Sequence, residues 1–169
     1  DLAEVFVIGD SIAGTPWSEL FVHEGKPPAS VLDPTRDIVA LPYSSGTTGM
    51  PKGVMLTHKS LVANAAMIIN GPNDLGEGEV FACVPPMFHI YGITMYLGAA
   101  MQLGGTVVCM PRFDFETYVQ VIDKYRASVA MVVPPVALGL AKHPIVDQYD
   151  LSCLNTIVSG AAPLAPALA

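Results

Sequence analysis

The chain has 169 residues, of which 51% are hydrophobic and 14% are charged. The charged fraction is low against the roughly 25% of a typical soluble domain, so we expect much of the surface to be buried against something else. The net charge is −7, with 8 Lys plus Arg residues and no basic stripe, which argues against nucleic acid as a partner.

The hydrophobic pattern predicts strands and helices in alternation. In chain order these are a strand at 5–8, a helix at 15–22, a strand at 38–43, a helix at 57–70, a strand at 80–84, a helix at 90–103, a strand at 106–110, a helix at 115–126, a strand at 128–133, a helix at 135–142 and a strand at 154–158. This order predicts an α/β fold with a mostly parallel sheet and helices on its faces.

Residues 80–111 contain no Asp, Glu, Lys or Arg, so a membrane-spanning helix is one interpretation of this stretch. Such a helix needs about 20 consecutive apolar residues. Prolines and glycines interrupt the run, and the longest helical candidate is 90–103. We therefore expect a buried strand–helix–strand and no membrane span.

The chain carries three cysteines, Cys83, Cys109 and Cys153. Their number is odd and no two of them form a Cys-x-x-Cys pattern, so neither a disulfide framework nor a zinc site is indicated. We expect reduced thiols and no metal site, as in a protein of the cytoplasm.

Residues 43–54 read Tyr-Ser-Ser-Gly-Thr-Thr-Gly-Met-Pro-Lys-Gly-Val. Gly46 and Gly49 tolerate positive φ, so backbone N–H groups can turn toward an oxyanion, while the hydroxyls and Lys52 add further donors. This set of groups suits a polyphosphate. The Walker pattern is excluded because Lys52 is followed by Gly53 rather than Ser or Thr.

A flexible Gly/Ser/Thr linker is the alternative interpretation of this stretch. Its flanks favour a phosphate loop, because the apolar run 38–43 suggests a buried strand and Thr57 is a good N-cap for the following helix. A strand, a glycine-rich turn and a helix in succession are where α/β proteins hold phosphates.

The stretch 43–54 resembles the phosphate-binding signature of the adenylate-forming superfamily, which includes acyl-CoA synthetases, firefly-type luciferases and the adenylation domains of peptide synthetases. The resemblance implies that this loop holds the β- and γ-phosphates of ATP, bridged by Mg²⁺, and that Lys52 has a catalytic role. The nucleotide-binding residues that it implies are Ser44, Ser45, Gly46, Thr47, Thr48, Gly49 and Lys52.

A second motif, Pro-Met-Phe-His-Ile-Tyr-Gly at 86–92, lies between a predicted strand and a predicted helix. A histidine among apolar residues is, by itself, more often a hydrogen-bonded core residue. The motif resembles the aromatic and histidine signature of 4-coumarate–CoA ligases, whereas firefly-type luciferases carry a version richer in His and Phe. The resemblance implies that His89, as a catalytic residue, and Tyr91 line the pocket of a carboxylic acid.

A third motif, Ser-Gly-Ala-Ala-Pro at 159–163, follows the last predicted strand. An ordinary tight turn is the alternative. The resemblance implies that Gly160, Ala161 and Ala162 lie beside the adenylate, with Ala161 also bordering the acyl group. By its position after the second motif, Arg112 resembles a basic residue that contacts coenzyme A phosphates; a solvated strand end is the alternative.

The resemblance further implies a two-step reaction in which an acid and ATP give an acyl adenylate and pyrophosphate, and coenzyme A then displaces AMP. The superfamily's Tyr-Gly-x-Thr-Glu segment and its C-terminal lysine domain have no counterpart in this sequence. We therefore expect residues 1–169 to be a partial N-terminal AMP-binding domain, incomplete at both ends and inactive alone. Its expected partners are the remainder of its own chain and a small carboxylic acid.

Three functions stay open on the sequence. The first is a 4-coumarate-like acid–CoA ligase, and the second is a luciferase-like or fatty acyl-CoA synthetase. The third is a truncated, non-catalytic nucleotide-binding module. The expected location is the cytoplasm, with the peroxisome as an alternative.

Overall fold

The computed structural model describes residues 6–8, 14–22, 25, 29, 31–44, 49–72 and 74–166. The chain forms two compact units, residues 1–32 and 33–169. In the first unit, strands β1 (Phe6–Val7) and β2 (Thr15–Pro16) pair in parallel, and a 3₁₀ helix follows at Trp17–Val22. The helix predicted at 15–22 is therefore shorter and more tightly wound, as is common for short helical segments.

The second unit begins with two short antiparallel strand pairs. Strand β3 (Ile38–Ala40) pairs with β6 (Leu56–Thr57), and β4 (Tyr43–Ser44) pairs with β5 (Lys52–Gly53). The prediction of one buried strand at 38–43 is wrong. The run is split into β3 and β4, and Ile38, Val39 and Leu41 are each about half exposed. The reason is that this segment pairs with residues 52–57, which follow it closely in the sequence, and not with the strands of a covered sheet.

Helix α1 (His58–Ile69) follows β6 directly. Its N-cap is Thr57, whose hydroxyl oxygen accepts a hydrogen bond from the Ser60 N–H at 3.2 Å, so one of the free amides of the first turn is satisfied. The predicted cap and helix are confirmed. Ala65 is the residue of this helix that is fully buried.

The centre of the second unit is a four-stranded parallel sheet in the order β10-β9-β7-β8. Its strands are β7 (Val80–Cys83), β8 (Thr106–Val108), β9 (Val129–Val132) and β10 (Thr156–Ser159). Every residue of β9 is buried, as expected for an inner strand covered on both faces. The predicted mostly parallel α/β sheet is confirmed.

Helices cover both faces of the sheet. They are α2 (Ile90–Gly92), which continues as a π-helix over Ile93–Ala100, then α3 (Phe115–Tyr125), α4 (Pro134–Lys142) and a 3₁₀ helix at Pro144–Gln148. Alternate residues of β7 enter different cores: Phe81 packs with the π-helix residue Tyr96, and Ala82 packs with Tyr118 of α3. Within the described ranges, no helix is long and apolar enough to span a bilayer.

The π-helix lies within the helix that the sequence predicts at 90–103. Tyr91 lies in α2, and Tyr96 lies five positions later in the π-helix. Both tyrosine hydroxyls reach backbone groups at the carboxyl edge of the sheet. Apolar periodicity does not distinguish this winding from an α-helix, so the sequence pattern could not have predicted it.

The strand order reverses at β7. The chain passes from β7 to β8 on one side and then crosses to β9 on the other side. In open α/β sheets, ligands bind in the crevice outside the carboxyl ends of the strands at such a reversal. The crevice between the ends of β7 and β9 is therefore the candidate ligand site.

Candidate active site

Three candidate site residues follow strands that end at one edge of the sheet. His89 follows β7, Arg112 follows β8 and Gly160 follows β10. Because all four strands are parallel, their carboxyl ends share this edge. The topology thus gathers segments that are far apart in the sequence.

The Tyr96 hydroxyl contacts backbone groups at the ends of both β7 and β9. The N–H of Val84 donates to the Tyr96 hydroxyl oxygen at 3.1 Å, and this hydroxyl lies 3.4 Å from the carbonyl oxygens of Ala82 and Met131. A side chain, rather than the neighbouring strand, therefore satisfies the first amide after β7. Burial raises the pKa of Tyr96, so the phenol stays protonated and can donate.

Tyr96 is not among the residues that the sequence motifs indicate. The available signal was a tyrosine five positions after Tyr91 in an otherwise apolar helix. A buried tyrosine usually finds a hydrogen-bond partner for its hydroxyl, and that requirement points toward polar backbone groups at a strand end.

Tyr91 joins the ends of β9 and β10. Its hydroxyl donates to the Val158 carbonyl oxygen at 3.0 Å and lies 3.5 Å from that of Val132. Burial raises the pKa of Tyr91 to about 12. Its ring lies so close to Gly160 that a Cβ there would be 3.0 Å from the ring carbon Cζ. A planar ring and a small residue thus form one continuous surface at the crevice.

His89 is exposed and forms the N-cap of α2. Its Nδ1 accepts a hydrogen bond from the Tyr91 N–H at 3.1 Å, so we assign the ring proton to Nε2. The Nε2–H group is therefore a donor available to a ligand. The cap also fixes the position of the imidazole relative to Tyr91.

The last residue of β10 and the turn that follows it show two unusual features. The Ser159 hydroxyl is buried without a hydrogen-bond partner among the residues that the structure describes. Ala161 has a φ of +67°, a left-handed conformation that costs a non-glycine residue about 1 kcal/mol or more. The Gly160 N–H donates to the Val132 carbonyl oxygen at 3.0 Å, which holds the turn against β9. Ala162 follows in the same bend and is exposed.

The strands on either side of the glycine-rich sequence, β4 and β5, pair with each other as an antiparallel hairpin. Ser45, Gly46, Thr47 and Thr48 lie outside the described residues. Ser44 pairs with Lys52 across β4 and β5, and its hydroxyl lies 3.4 Å from the Lys52 carbonyl oxygen. Gly49 has a φ of +134°, which requires glycine. The expected strand-to-helix turn is wrong, because two further strands lie between this loop and α1.

The described contacts join His89 to Tyr91, Tyr91 to Gly160, and Ser44 to Lys52. Arg112 is exposed in a bend after β8. Because it follows the carboxyl end of this strand, it lies at the same edge of the sheet as His89 and Gly160. The site residues offer a ring N–H donor at His89, a flat apolar surface at Tyr91 and Gly160, and basic side chains at Lys52 and Arg112.

Known proteins have similar sequences and folds. The profile described as "AMP-binding enzyme" matches residues 5–169. The protein 4-coumarate–CoA ligase 2 of Petroselinum crispum is 46% identical over 144 residues, which are 83% of this chain and 26% of that protein. The chain therefore spans about a quarter of the length of this curated relative.

Solved structures agree with this relationship. A long-chain-fatty-acid-CoA ligase from Archaeoglobus fulgidus matches with a TM-score of 0.81 and 32% identity, covering 96% of this chain and 32% of that one. A red-emitting luciferase from Phrixothrix hirtus matches with a TM-score of 0.77 and 29% identity, covering 96% and 33%. The profile match extends over nearly the whole sequence, and the chain therefore belongs to the AMP-binding enzyme family.

Proposed function

We propose that the protein carrying this chain is an AMP-forming acid–CoA ligase of the 4-coumarate type. The observation that carries the proposal is the chain of contacts from His89 through Tyr91 to Gly160 at the strand-order reversal. This arrangement suits a flat carboxylic acid, because a ring donor lies beside an apolar surface. The 46% identity to a 4-coumarate–CoA ligase supports the same substrate class.

ATP is the first co-substrate in this proposal, and its phosphates lie at the hairpin between β4 and β5. The sequence from Tyr43 to Thr57 contains no acidic residue, and Lys52 is its single charge. Lys52 is exposed beside Ser44 at the base of the loop. These residues therefore fit a polyanion. Mg²⁺ would bind together with the nucleotide and neutralise the charge of its phosphates, since proteins commonly hold this ion through substrate phosphates.

The acid lies along Tyr91 with its carboxylate at His89. The Nε2–H of His89 donates to the carboxylate and orients it toward the α-phosphate. Gly160, Ala161 and Ala162 leave space for the adenylate, because none of them projects beyond a Cβ. Arg112 contacts the phosphates of coenzyme A, the second co-substrate.

The chemistry follows from positioning. A carboxylate oxygen attacks the α-phosphorus and pyrophosphate leaves; the thiol sulfur of coenzyme A then attacks the acyl carbon and AMP leaves. Phosphoryl-type transfers depend mainly on alignment and on neutralising charge. His89 supplies alignment, and Lys52 supplies charge opposite the leaving pyrophosphate.

Residues 1–169, in this proposal, are one part of a larger N-terminal domain. The remaining catalytic groups lie in parts of the protein that correspond to the other three quarters of the relative's length. The three cysteines are free, which fits a location in the cytoplasm, with the peroxisome as the alternative.

The test is an assay of the complete protein with ATP and coenzyme A against three acids: 4-coumarate, a long-chain fatty acid and a luciferin. We expect AMP release with 4-coumarate and a thioester product identified by mass spectrometry. Thioester formation with the fatty acid alone would favour the fatty acyl-CoA synthetase. An adenylate of the luciferin alone would favour the luciferase-like enzyme, and no AMP with any acid would overturn ligase activity.

A matched pair of lysine variants tests the phosphate site in the same assay. Lys52→Met removes the cation of the hairpin, and we expect a roughly 100-fold slower adenylation step, comparable to losing one transition-state donor. Lys59→Met removes an exposed lysine from α1 and leaves the rate unchanged. Equal rates for the two variants would exclude Lys52 from phosphate binding.

A further inference from the structure

Two cysteines lie side by side at the carboxyl edge of the sheet. Strands β7 and β8 pair in register up to Ala82 and Val108, and the next residue along each segment is a cysteine: Cys83 ends β7, and Cys109 directly follows β8. Neighbouring strands are about 4.8 Å apart. This spacing falls within the Cα–Cα range of roughly 4.4–6.8 Å that a disulfide bridges.

The two thiols also share a face of the sheet. Phe81 and Val107 form a registered pair, and both pack in the core under the π-helix. Side chains two positions further along a strand return to the same face. Cys83 lies in that core, and Cys109 is therefore directed to the same side.

The two cysteines differ in accessibility. Cys83 is 8% exposed, whereas Cys109 is exposed. The Cys83 thiol donates to the Pro85 carbonyl oxygen at 3.5 Å. Burial, with a smaller contribution from the neighbouring Cys109 thiol, raises the pKa of Cys83 to about 11. Cys83 is thus a poor nucleophile toward solvent oxidants, and an oxidant meets Cys109 first.

We propose that Cys83 and Cys109 form a redox-active dithiol site that reacts with hydroperoxides. The Cys109 thiol gives up its proton and its sulfur attacks the terminal peroxide oxygen. The O–O bond breaks, the other oxygen takes up that proton and leaves as an alcohol or water, and Cys109 becomes a sulfenic acid. The Cys83 sulfur then attacks the Cys109 sulfur, the S–O bond breaks and water leaves with the Cys83 proton. Two thiols are oxidised to one disulfide, and one hydroperoxide is reduced.

The disulfide joins two segments that lead into the candidate active site. Cys83 precedes the segment that carries His89, and Cys109 precedes the bend that carries Arg112. A bridge between adjacent strand ends is constrained by the sheet, and strained or exposed disulfides are the readily reduced ones. The site is therefore reversible under a small dithiol reductant.

The experiment uses the complete protein and needs no catalytic activity, so its outcome is independent of the proposed ligase function. The protein is treated with hydrogen peroxide, alkylated, digested with chymotrypsin and analysed by mass spectrometry without reduction. Chymotrypsin is needed because residues 60–111 contain no Lys or Arg, so trypsin leaves both cysteines in one peptide. We expect a linked peptide pair, loss of Cys83 alkylation and recovery of both after dithiothreitol.

Two serine variants are compared. Cys109→Ser abolishes the link and leaves Cys83 open to alkylation in denaturant after peroxide treatment. Cys153→Ser retains the link, because Cys153 lies on the approach to β10, where its thiol contacts the Ile122 carbonyl oxygen at 3.6 Å. The proposal is overturned if wild-type Cys109 is converted to sulfinic acid while Cys83 stays free, or if the link joins Cys153.

Discussion

Gly160 is required by the ring of Tyr91. A Cβ at this position would lie 3.0 Å from Cζ and 3.2 Å from Cε1 of the ring, while the tyrosine hydroxyl is held by the Val158 carbonyl oxygen at 3.0 Å. The ring cannot move away without losing that hydrogen bond. We expect Gly160→Ala to lower the free energy of unfolding of the complete protein by about 1 kcal/mol, measured by urea denaturation.

Gly76→Ala is the matched control, because its Cβ would meet only the Glu79 carboxylate oxygen, at 3.6 Å. The same crowding predicts a raised KM for the acid in Gly160→Ala, since the flat surface of the pocket is displaced. A Gly160→Ala protein as stable as wild type would show that the Tyr91 ring shifts freely.

The Tyr96 hydroxyl stabilises the end of β7. Removing it in Tyr96→Phe leaves the Val84 N–H without its partner, and an unpaired buried donor costs about 1–3 kcal/mol. We expect a corresponding loss in the free energy of unfolding. Tyr125→Phe removes a hydroxyl from an exposed residue of α3 and serves as the control, with an expected change near zero.

Equal stability of the two phenylalanine variants would contradict this role of Tyr96. Removing the hydroxyl also leaves the Val84 amide without its acceptor. Faster hydrogen exchange of the Val84 amide in the variant is the expected result, whereas unchanged protection would indicate that a strand carbonyl has replaced the hydroxyl.

The junction between α3 and the segment before β10 is sensitive to acid. Asp150 accepts hydrogen bonds from Ser152 and, at 2.9 Å, from Arg126. The Ser152 hydrogen bonds, with Arg126 contributing, lower the pKa of Asp150 from 3.8 to about 2. The carboxylate therefore adds to the free energy of unfolding above about pH 4, and this contribution is lost as the pH falls toward 2.

The expected result is that Asp150→Asn is less stable than wild type at neutral pH and that the difference narrows between about pH 4 and pH 2. Urea denaturation across that interval measures it. Asp147→Asn, on the neighbouring 3₁₀ helix, is exposed and is the control. A gap between Asp150→Asn and wild type that stays constant to pH 2 would contradict the assignment.

Elements with strong local signals were predictable from the sequence, and elements fixed by distant contacts were not. Thr57 caps α1 as expected, and the apolar positions of α3 include the buried residues Tyr118, Val119 and Ile122. The hairpin of β4 and β5 has only two residues per strand, too few for a periodic signal. Its pairing depends on contacts across the intervening loop.

The same distinction holds at the candidate site. The motif around His89 could be found by its residue types and its place after a predicted strand. Tyr96 could not, because its role depends on π-helical winding and on the strand order that brings β9 beside β7. Local composition identifies groups that bind ligands, whereas the groups that shape the crevice depend on the assembled sheet.

The molecule as a whole presents apolar surface that a complete protein is expected to cover. A cavity of about 180 Å³ lies between α1 and the π-helix, and its lining includes Leu61, Val62 and Leu97. Leu97 is 51% exposed and Val62 is 60% exposed. Adjacent exposed apolar side chains commonly mark a contact surface, and this one agrees with the low charged fraction of the chain.

A pair of glutamate substitutions decides whether this surface is covered. In the complete protein, Leu97→Glu is expected to lower the free energy of unfolding by at least about 2 kcal/mol, because an unpaired charge would be buried. Ala63→Glu changes an exposed residue two positions from Leu61 on α1, on a different face of the helix, and is expected to stay within about 0.5 kcal/mol of wild type. Thermal denaturation of both variants gives the comparison. Equal stability would mean that Leu97 faces water in the complete protein, and the low charged fraction would then need another cause.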